Sequence, residues 1–234
     1  MATRPVFIPL CAGPALVKTQ FIDFGWVSGR DISIIQANVD SLHNETEKIN
    51  LGIKNTLEVS TKSKKAIGCA LSAFNLKYFS QQTQTEYPVE CIYQASKVFG
   101  DNGPFKDLLK VSPASAKKDE RLSSHGRLTH FMSNGVVWQT EPLTAFYDWI
   151  YINALWANQS LADKAVLYDA FTDIEFNPKR SMNCQAYSAA LYTALFQRGL
   201  LQKALTSRES FLGLTGEFEI SNSREDELSQ PRLI

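Results

Sequence analysis

Two stretches of this chain carry almost no charge, and they limit what it can become. Residues 181–197 (SMNCQAYSAALYTALFQ) contain no charged residue, and residues 142–158 (PLTAFYDWIYINALWAN) contain only Asp148. A helix that is apolar all round has no solvent face, so a helix over 181–197 belongs at the centre of a core. Neither stretch, nor any other, approaches the length of a membrane span. With 44% apolar residues among 234, the chain can bury a sizeable core. That length is long for one average domain and short for two. No internal repeat or clear linker divides it, so a single domain over 1–234 is expected, with a polar tail over 216–234.

The first half reads as extended before it reads as helical. Val6-Phe7-Ile8 is a short apolar run, Ala12-Gly13-Pro14 is a turn signal, and Leu16 to Val27 is rich in β-branched and aromatic residues. Residues 31–50 place Ile35, Val39, Leu42 and Ile49 at helical spacing on an otherwise polar segment, which predicts a surface helix. TLEVST (56–61) alternates like a strand, 66–79 is ambiguous between helix and loop, and 81–87 is a polar loop. Residues 88–99 (PVECIYQASKVF) predict a helix, with Pro88 at its start and Gly100-Asp101-Asn102-Gly103-Pro104 as its stop. Short helices are expected at 104–110 and 113–122, then longer ones at 142–158, 160–171 and 181–197. FTDIEFNP (171–178) is a loop or short strand. The sum is a mainly helical α+β domain, with a few short N-terminal strands on a helical core.

Charge and cysteine usage exclude several classes. Lys plus Arg and Asp plus Glu number 24 each, so the basic excess of a protein that grips duplex DNA through phosphates is missing. The four cysteines, Cys11, Cys69, Cys91 and Cys184, form no CxxC pair and give no zinc or redox spacing. Cys91 and Cys184 sit in apolar surroundings, where a free thiol packs as a small hydrophobe, as suits a reducing compartment. The N-terminus lacks the pattern of a signal peptide. A cytoplasmic protein without metal or cofactor is the expectation.

The segment 88–99 is the most informative. At about 100° per residue, Glu90, Gln94 and Lys97 fall within roughly 60° of one another on a helix, with Tyr93 beside them. Every other direction carries apolar or small residues. Two readings follow. Either the stripe is an ordinary solvated face, or it faces a pocket. In a pocket, desolvation would strip Lys97 of its proton and leave an amine nucleophile, and Glu90 would move protons.

Other features are less specific. Asp148, alone among Phe146, Trp149, Ile150 and Trp156, must be hydrogen-bonded, solvated or functional. The basic set Lys106, Lys110, Lys117, Lys118, Arg121 and Arg127 is either a phosphate site or a solvated helical face. Asp173, Glu175 and Asn177 in FTDIEFNP read as a turn whose side chains hold the backbone. His43, His125 and His130 follow no ligand spacing, and the chain has no Walker loop, GxSxG or GxGxxG.

With those residues in view, Tyr87 to Phe99 (YPVECIYQASKVF) resembles the signature of the NADAR family, where a Glu, a Tyr-Gln-Ala and a Lys share one helix. Ala70 to Leu76 (ALSAFNL) is similar to that family's Ser/Asn/Phe segment, and Tyr147-Asp148-Trp149 to its Asp-Trp element. The further blocks KVFGDNGPFKDLL, FYDWIYINAL, AFTDIEFNP and NCQA, in order, resemble NADAR antitoxins encoded beside DarT-type DNA ADP-ribosyltransferase toxins. The resemblance runs from about residue 5 to about 202, the expected core. Cys91 and Ile92 stand where the commoner pattern has His and Tyr. Position 91 points away from the stripe, so that departure bears on packing.

The resemblance implies a NADAR-type fold and an N-glycosidase that removes ADP-ribose from ADP-ribosylated guanine in DNA, reversing the toxin. It implies Lys97 as nucleophile through a Schiff base and Glu90 as acid and base. Asn75, Gln94, Asp148 and Trp149 become substrate-binding residues. The scheme needs no metal or redox cofactor. A target base must leave the stack to reach a pocket, which favours single-stranded DNA, and the basic set after Pro104 is a candidate for the pyrophosphate. The partners implied are the modified DNA, ADP-ribose as product and the cognate toxin. Two alternatives remain open: a non-catalytic module that recognises ADP-ribosylated DNA or blocks the toxin, and a hydrolase of free ADP-ribosyl or riboflavin-pathway metabolites.

Overall fold

The computed structural model describes residues 1–49, 52–177 and 183–219. Strands and helices alternate along its first half: β1 (Ala2–Pro9), β2 (Val17–Phe24), α1 (Ile32–Ile49), β3 (Thr56–Glu58), α2 (Ala66–Ala70), β4 (Lys77–Ser80), β5 (Thr85–Pro88), α3 (Val89–Ala95) and β6 (Lys97–Val98). A 3₁₀ turn (Lys106–Lys110) leads to α4 (Pro113–Lys117), α5 (Arg121–Ser124), β7 (His130–Ser133) and β8 (Val136–Gln139). The rest is α6 (Ala145–Trp156), α7 (Gln159–Ala165), β9 (Ala170–Thr172), α8 (Gln185–Gln197), α9 (Leu201–Ala204) and α10 (Arg208–Gly216). The fold is α+β.

Its organising sheet has the order β2-β1-β9-β3. β1 and β2 pair antiparallel along their whole length, from Ala2 opposite Phe24 to Pro9 opposite Val17. β9 lies antiparallel to β1 and parallel to β3. Alternation along a strand sends neighbours to opposite faces, and β1 uses both. Val6 packs with Val39 and Leu42 of α1 on one face, while Phe7 meets Tyr187 of α8 edge-on at 5.7 Å on the other. The layers are therefore α1, sheet, and a helical body of α6 and α8. The uncharged segment does form the expected central helix: Ala186, Ala189, Ala190 and Leu195 of α8 are fully buried. Residues 181 and 182 of that expected helix, residue 50 of the first helix, Pro178 of FTDIEFNP and the tail from 220 lie outside the described residues.

The strands are not confined to the N-terminus. β4 and β5 form a hairpin, so the expected loop at 81–87 ends in a strand; β6, β7 and β8 form a third sheet. The expected helix at 113–122 is broken, because Asp119 accepts the Arg121 N–H at 3.0 Å and restarts the chain as α5. Most consequential, the expected helix 88–99 stops at Ala95. Ser96 bonds back to the Ile92 carbonyl at 2.8 Å, and Lys97-Val98 continue as a strand opposite Phe131 and His130. Lys97 is thus displayed by a helix-to-strand junction rather than by the helix.

Candidate functional site

That junction is fixed on both sides. At its start, Glu90 and Val89 donate backbone N–H groups to the carbonyls of Ala73 and Leu76, each at 2.9 Å, which satisfies donors that a helix's first turn leaves open. At its end, Met132 N–H reaches the Ser96 carbonyl at 2.7 Å and Thr129 N–H the Val98 carbonyl at 2.9 Å. Gly103 presses on the same place from behind. Its φ is +105°, and a Cβ there would stand 2.4 Å from the Lys97 carbonyl oxygen and 3.3 Å from the Val98 Cα. Gly103→Ala is therefore expected to cost about 1–3 kcal/mol from the strained backbone alone. It should also reduce turnover at temperatures where the variant stays folded, since relief of the clash moves Lys97. Paired melting curves and rate measurements check this; a destabilised but fully active protein would contradict it.

α3 and β6 form one wall of a cavity of about 560 Å³. Glu90, Tyr93, Gln94 and Lys97 line that wall, Lys117 and Lys118 of α4 another, and Asp173, Glu175, Phe176 and Gln185, between β9 and α8, a third. The stripe at 90, 94 and 97 faces a pocket, not solvent. Glu90 and Gln94 are 6% and 5% exposed, and Gln94 Nε2 donates to Glu90 Oε1 at 2.8 Å. Gln94 Oε1 is buried with no hydrogen-bond partner among the described residues. In a native interior, such an acceptor calls for a donor from water or ligand.

Lys97 Nζ lies 4.6 Å from the centroid of the Tyr93 ring. Burial pulls its pKa down from the ordinary lysine range to about 8, Lys117 lowers it further, and Glu90 opposes both. Burial and the neighbouring Glu175 push Asp173 above the usual carboxylate range. Glu58 of β3, behind it, is also pushed up, by burial and by Asp173, although Ser60, Thr172 and the Ile174 N–H all donate to it. Among the described residues, no three His, Cys, Asp or Glu side chains converge as metal ligands. The arrangement offers a poorly solvated amine, the buried Glu90 carboxyl on the same wall, Asp173 and Glu175 across the space, and Lys117 and Lys118 with Asp119 at α4.

The remaining sequence-derived candidates do not line this cavity. Asn75 is exposed, and its Nδ2 donates to the Cys69 carbonyl at 2.8 Å, bracing the turn after α2. Asp148 is 3% exposed and accepts from Thr144 and Ser188, at 2.6 Å each, tying α6 to α8. Burial raises its pKa to about 6, with those two hydroxyls opposing. Trp149 packs on Trp138 and Phe211. It lines a second, apolar cavity of about 720 Å³ that meets Ile92, Ala95 and Ser96 of the junction segment. Its charged lining is an exposed Lys106 and the pair Arg208–Glu209, in which Arg208 also donates to the Val137 carbonyl. Within the basic set, Arg121 pairs with Asp107 and Asp119, and Lys117 and Lys118 alone line the first cavity. Cys91 packs with Leu108 and Ala116, a packing role.

Asp173 and Gln185 were the residues missed. Asp173 does hold a turn, accepting the Glu175 N–H at 3.1 Å. It also accepts from Gln185 Nε2 at 3.0 Å and lines the cavity. An acid directly after a short strand gives no periodic signal; its meaning depends on β9 lying inside the sheet.

A family model described as the DarT1-associated NADAR antitoxins matches residues 2–225. No curated protein matches the chain.

Proposed function

The chain belongs to the DarT1-associated NADAR antitoxins, and from that membership we propose that it is an N-glycosidase that removes ADP-ribose from ADP-ribosylated guanine bases in DNA. It thereby reverses, in the cytoplasm, the modification made by a DarT-type toxin. The observation that carries the reading is Lys97. An amine with its pKa pulled down to about 8, in the same cavity as a buried carboxyl, is the equipment of amine-based covalent catalysis.

The steps follow from the atoms available. The Lys97 amine attacks the anomeric carbon. The bond from that carbon to the guanine nitrogen breaks, and guanine departs with the electron pair and a proton from Glu90. The ribosyl-lysine opens to a Schiff base, and water releases ADP-ribose and restores the amine. Gln94 holds the Glu90 carboxyl toward the reacting carbon. Lys117 and Lys118 meet the pyrophosphate, where cations offset its charge. Asn75, Asp148 and Trp149 serve substrate through the frame that carries α3 and α6. A cavity this size takes an extruded nucleotide rather than a stacked base pair, so single-stranded DNA is the preferred substrate.

The test is incubation of the purified protein with an oligonucleotide carrying one ADP-ribosylated guanine. Restored oligonucleotide and free ADP-ribose are expected. Tight binding with no release would replace this reading with that of a non-catalytic binder. Release from free ADP-ribosyl guanosine but not from DNA would move the activity to small metabolites.

A further inference from the structure

We infer that Asp173 is the base that activates water in the second half of this reaction, across the cavity from Glu90. The inference rests on the Lys97 reading above and gives to Asp173 the base step that the family resemblance puts on Glu90.

The placement is built, not incidental. Asp173 is 9% exposed, and each carboxyl oxygen is fixed: Oδ1 by the Glu175 N–H at 3.1 Å and Oδ2 by Gln185 Nε2 at 3.0 Å. Gln185 is itself anchored, its Oε1 accepting the Ala73 N–H at 2.7 Å. The Ala73 carbonyl in turn accepts the Glu90 N–H at 2.9 Å. Three hydrogen bonds through Gln185 and Ala73 therefore set Asp173 against the segment that carries Glu90 and Lys97. Both acids line the same cavity, one from the α3 side and one from the β9–α8 connection. Two carboxyls on separate walls of a sugar-sized space are the usual means of dividing glycoside cleavage into acid and base steps.

A second observation points to what lies between them. Gln94 Oε1, buried and lining the cavity, has no donor among the described residues. It can accept one hydrogen of a water whose other hydrogen goes to Asp173.

The charged groups facing Asp173 are Glu58 from β3, Glu175 from its own segment, Lys117 from α4 and Arg4 from β1. Burial and Glu175 raise its proton affinity, while Gln185, the Glu175 amide and Lys117 lower it. The result is a carboxylate more basic than an exposed one. Water oxygen bonds to the carbon of the protonated imine, one water proton passes to Asp173, and the C=N electron pair goes to the lysine nitrogen. Asp173 then returns the proton to that nitrogen, and the carbon–nitrogen bond breaks with its pair on Lys97. The new hydroxyl loses its proton to Asp173 as the sugar aldehyde forms, and solvent takes that proton away.

The experiment compares wild-type protein and Asp173→Asn on the ADP-ribosylated oligonucleotide, measuring both restored oligonucleotide and the protein–sugar adduct trapped by borohydride. Asp173→Asn is expected to release about one equivalent of oligonucleotide in a burst, accumulate adduct, and turn over about 10²–10⁴-fold more slowly. Asn sets a donor against the Gln185 donor, so Asp173→Asn combined with Gln185→Glu restores the pairing. That double variant carries the same expectation if the single one fails to fold. Wild-type turnover in a folded variant, or loss of burst and adduct together, overturns the inference while wild-type trapping leaves the Lys97 reading standing. A wild-type protein that turns over but is never trapped overturns both.

Discussion

Lys97→Ala should restore no measurable oligonucleotide and form no borohydride-trapped adduct. The loss is expected at about 10⁴-fold or more, as for other covalent nucleophiles. The magnitude follows from the protonation state. With a pKa of about 8, roughly a tenth of Lys97 is neutral at pH 7. A solvated lysine near 10.5 would be neutral only about 0.03% of the time, so burial supplies roughly a 300-fold gain in nucleophile. Adduct formation should accordingly rise with pH up to about 8 and then level. Stability rises with pH as well, over a higher window. The folded-state pKa lies below the unfolded one, so the unfolded chain binds more protons between about 8 and 10.5, and stability rises with pH across that window. At pH 7 the full penalty is present. Lys97→Met, which removes the charge and keeps the length, should therefore be inactive yet more stable, by about 1–3 kcal/mol. Turnover retained in Lys97→Ala would end the nucleophile assignment.

Much of this was legible from residue order, and the exceptions share a cause. The hairpin of β1 and β2, the surface helix α1 and the central helix α8 each announce themselves through local composition or period. Glu90 and Gln94 share a cavity wall because they sit four apart on a helix that forms. Lys97 was grouped with them by helical geometry that does not hold, since the helix ends at Ala95. It reaches the cavity all the same, because β6 must pair with β7. Asp148 has the opposite history. Its isolation among aromatics marks it as special, and its carboxylate is taken up by Ser188 and Thr144. Ser188 lies forty positions away in the chain, and no local pattern could supply it. Asp173 was invisible as a cavity residue for the same reason: its position depends on β9 entering the sheet between β1 and β3.

Glu90→Gln is expected to fold normally and to lose about 10²–10⁴-fold in guanine release. The amide preserves an oxygen for Gln94 Nε2, which now donates to Glu90 Oε1 at 2.8 Å, so the pair keeps its hydrogen bond and burial is unchanged. What disappears is the transferable proton, and guanine is a poor leaving group without one. The leaving group then provides the decisive control. On an ADP-ribose whose leaving group departs without a proton, Glu90→Gln should form the Lys97 adduct at nearly the wild-type rate. The two substrates thus separate proton donation from every other effect of the substitution. An equal loss on both would assign Glu90 to placing Lys97 or the sugar, since a positioning defect does not depend on what leaves. No loss on the guanine substrate would remove Glu90 from the chemistry and leave the proton to another cavity carboxyl, of which Asp173, fixed to the same frame through Gln185 and Ala73, is the nearest in design.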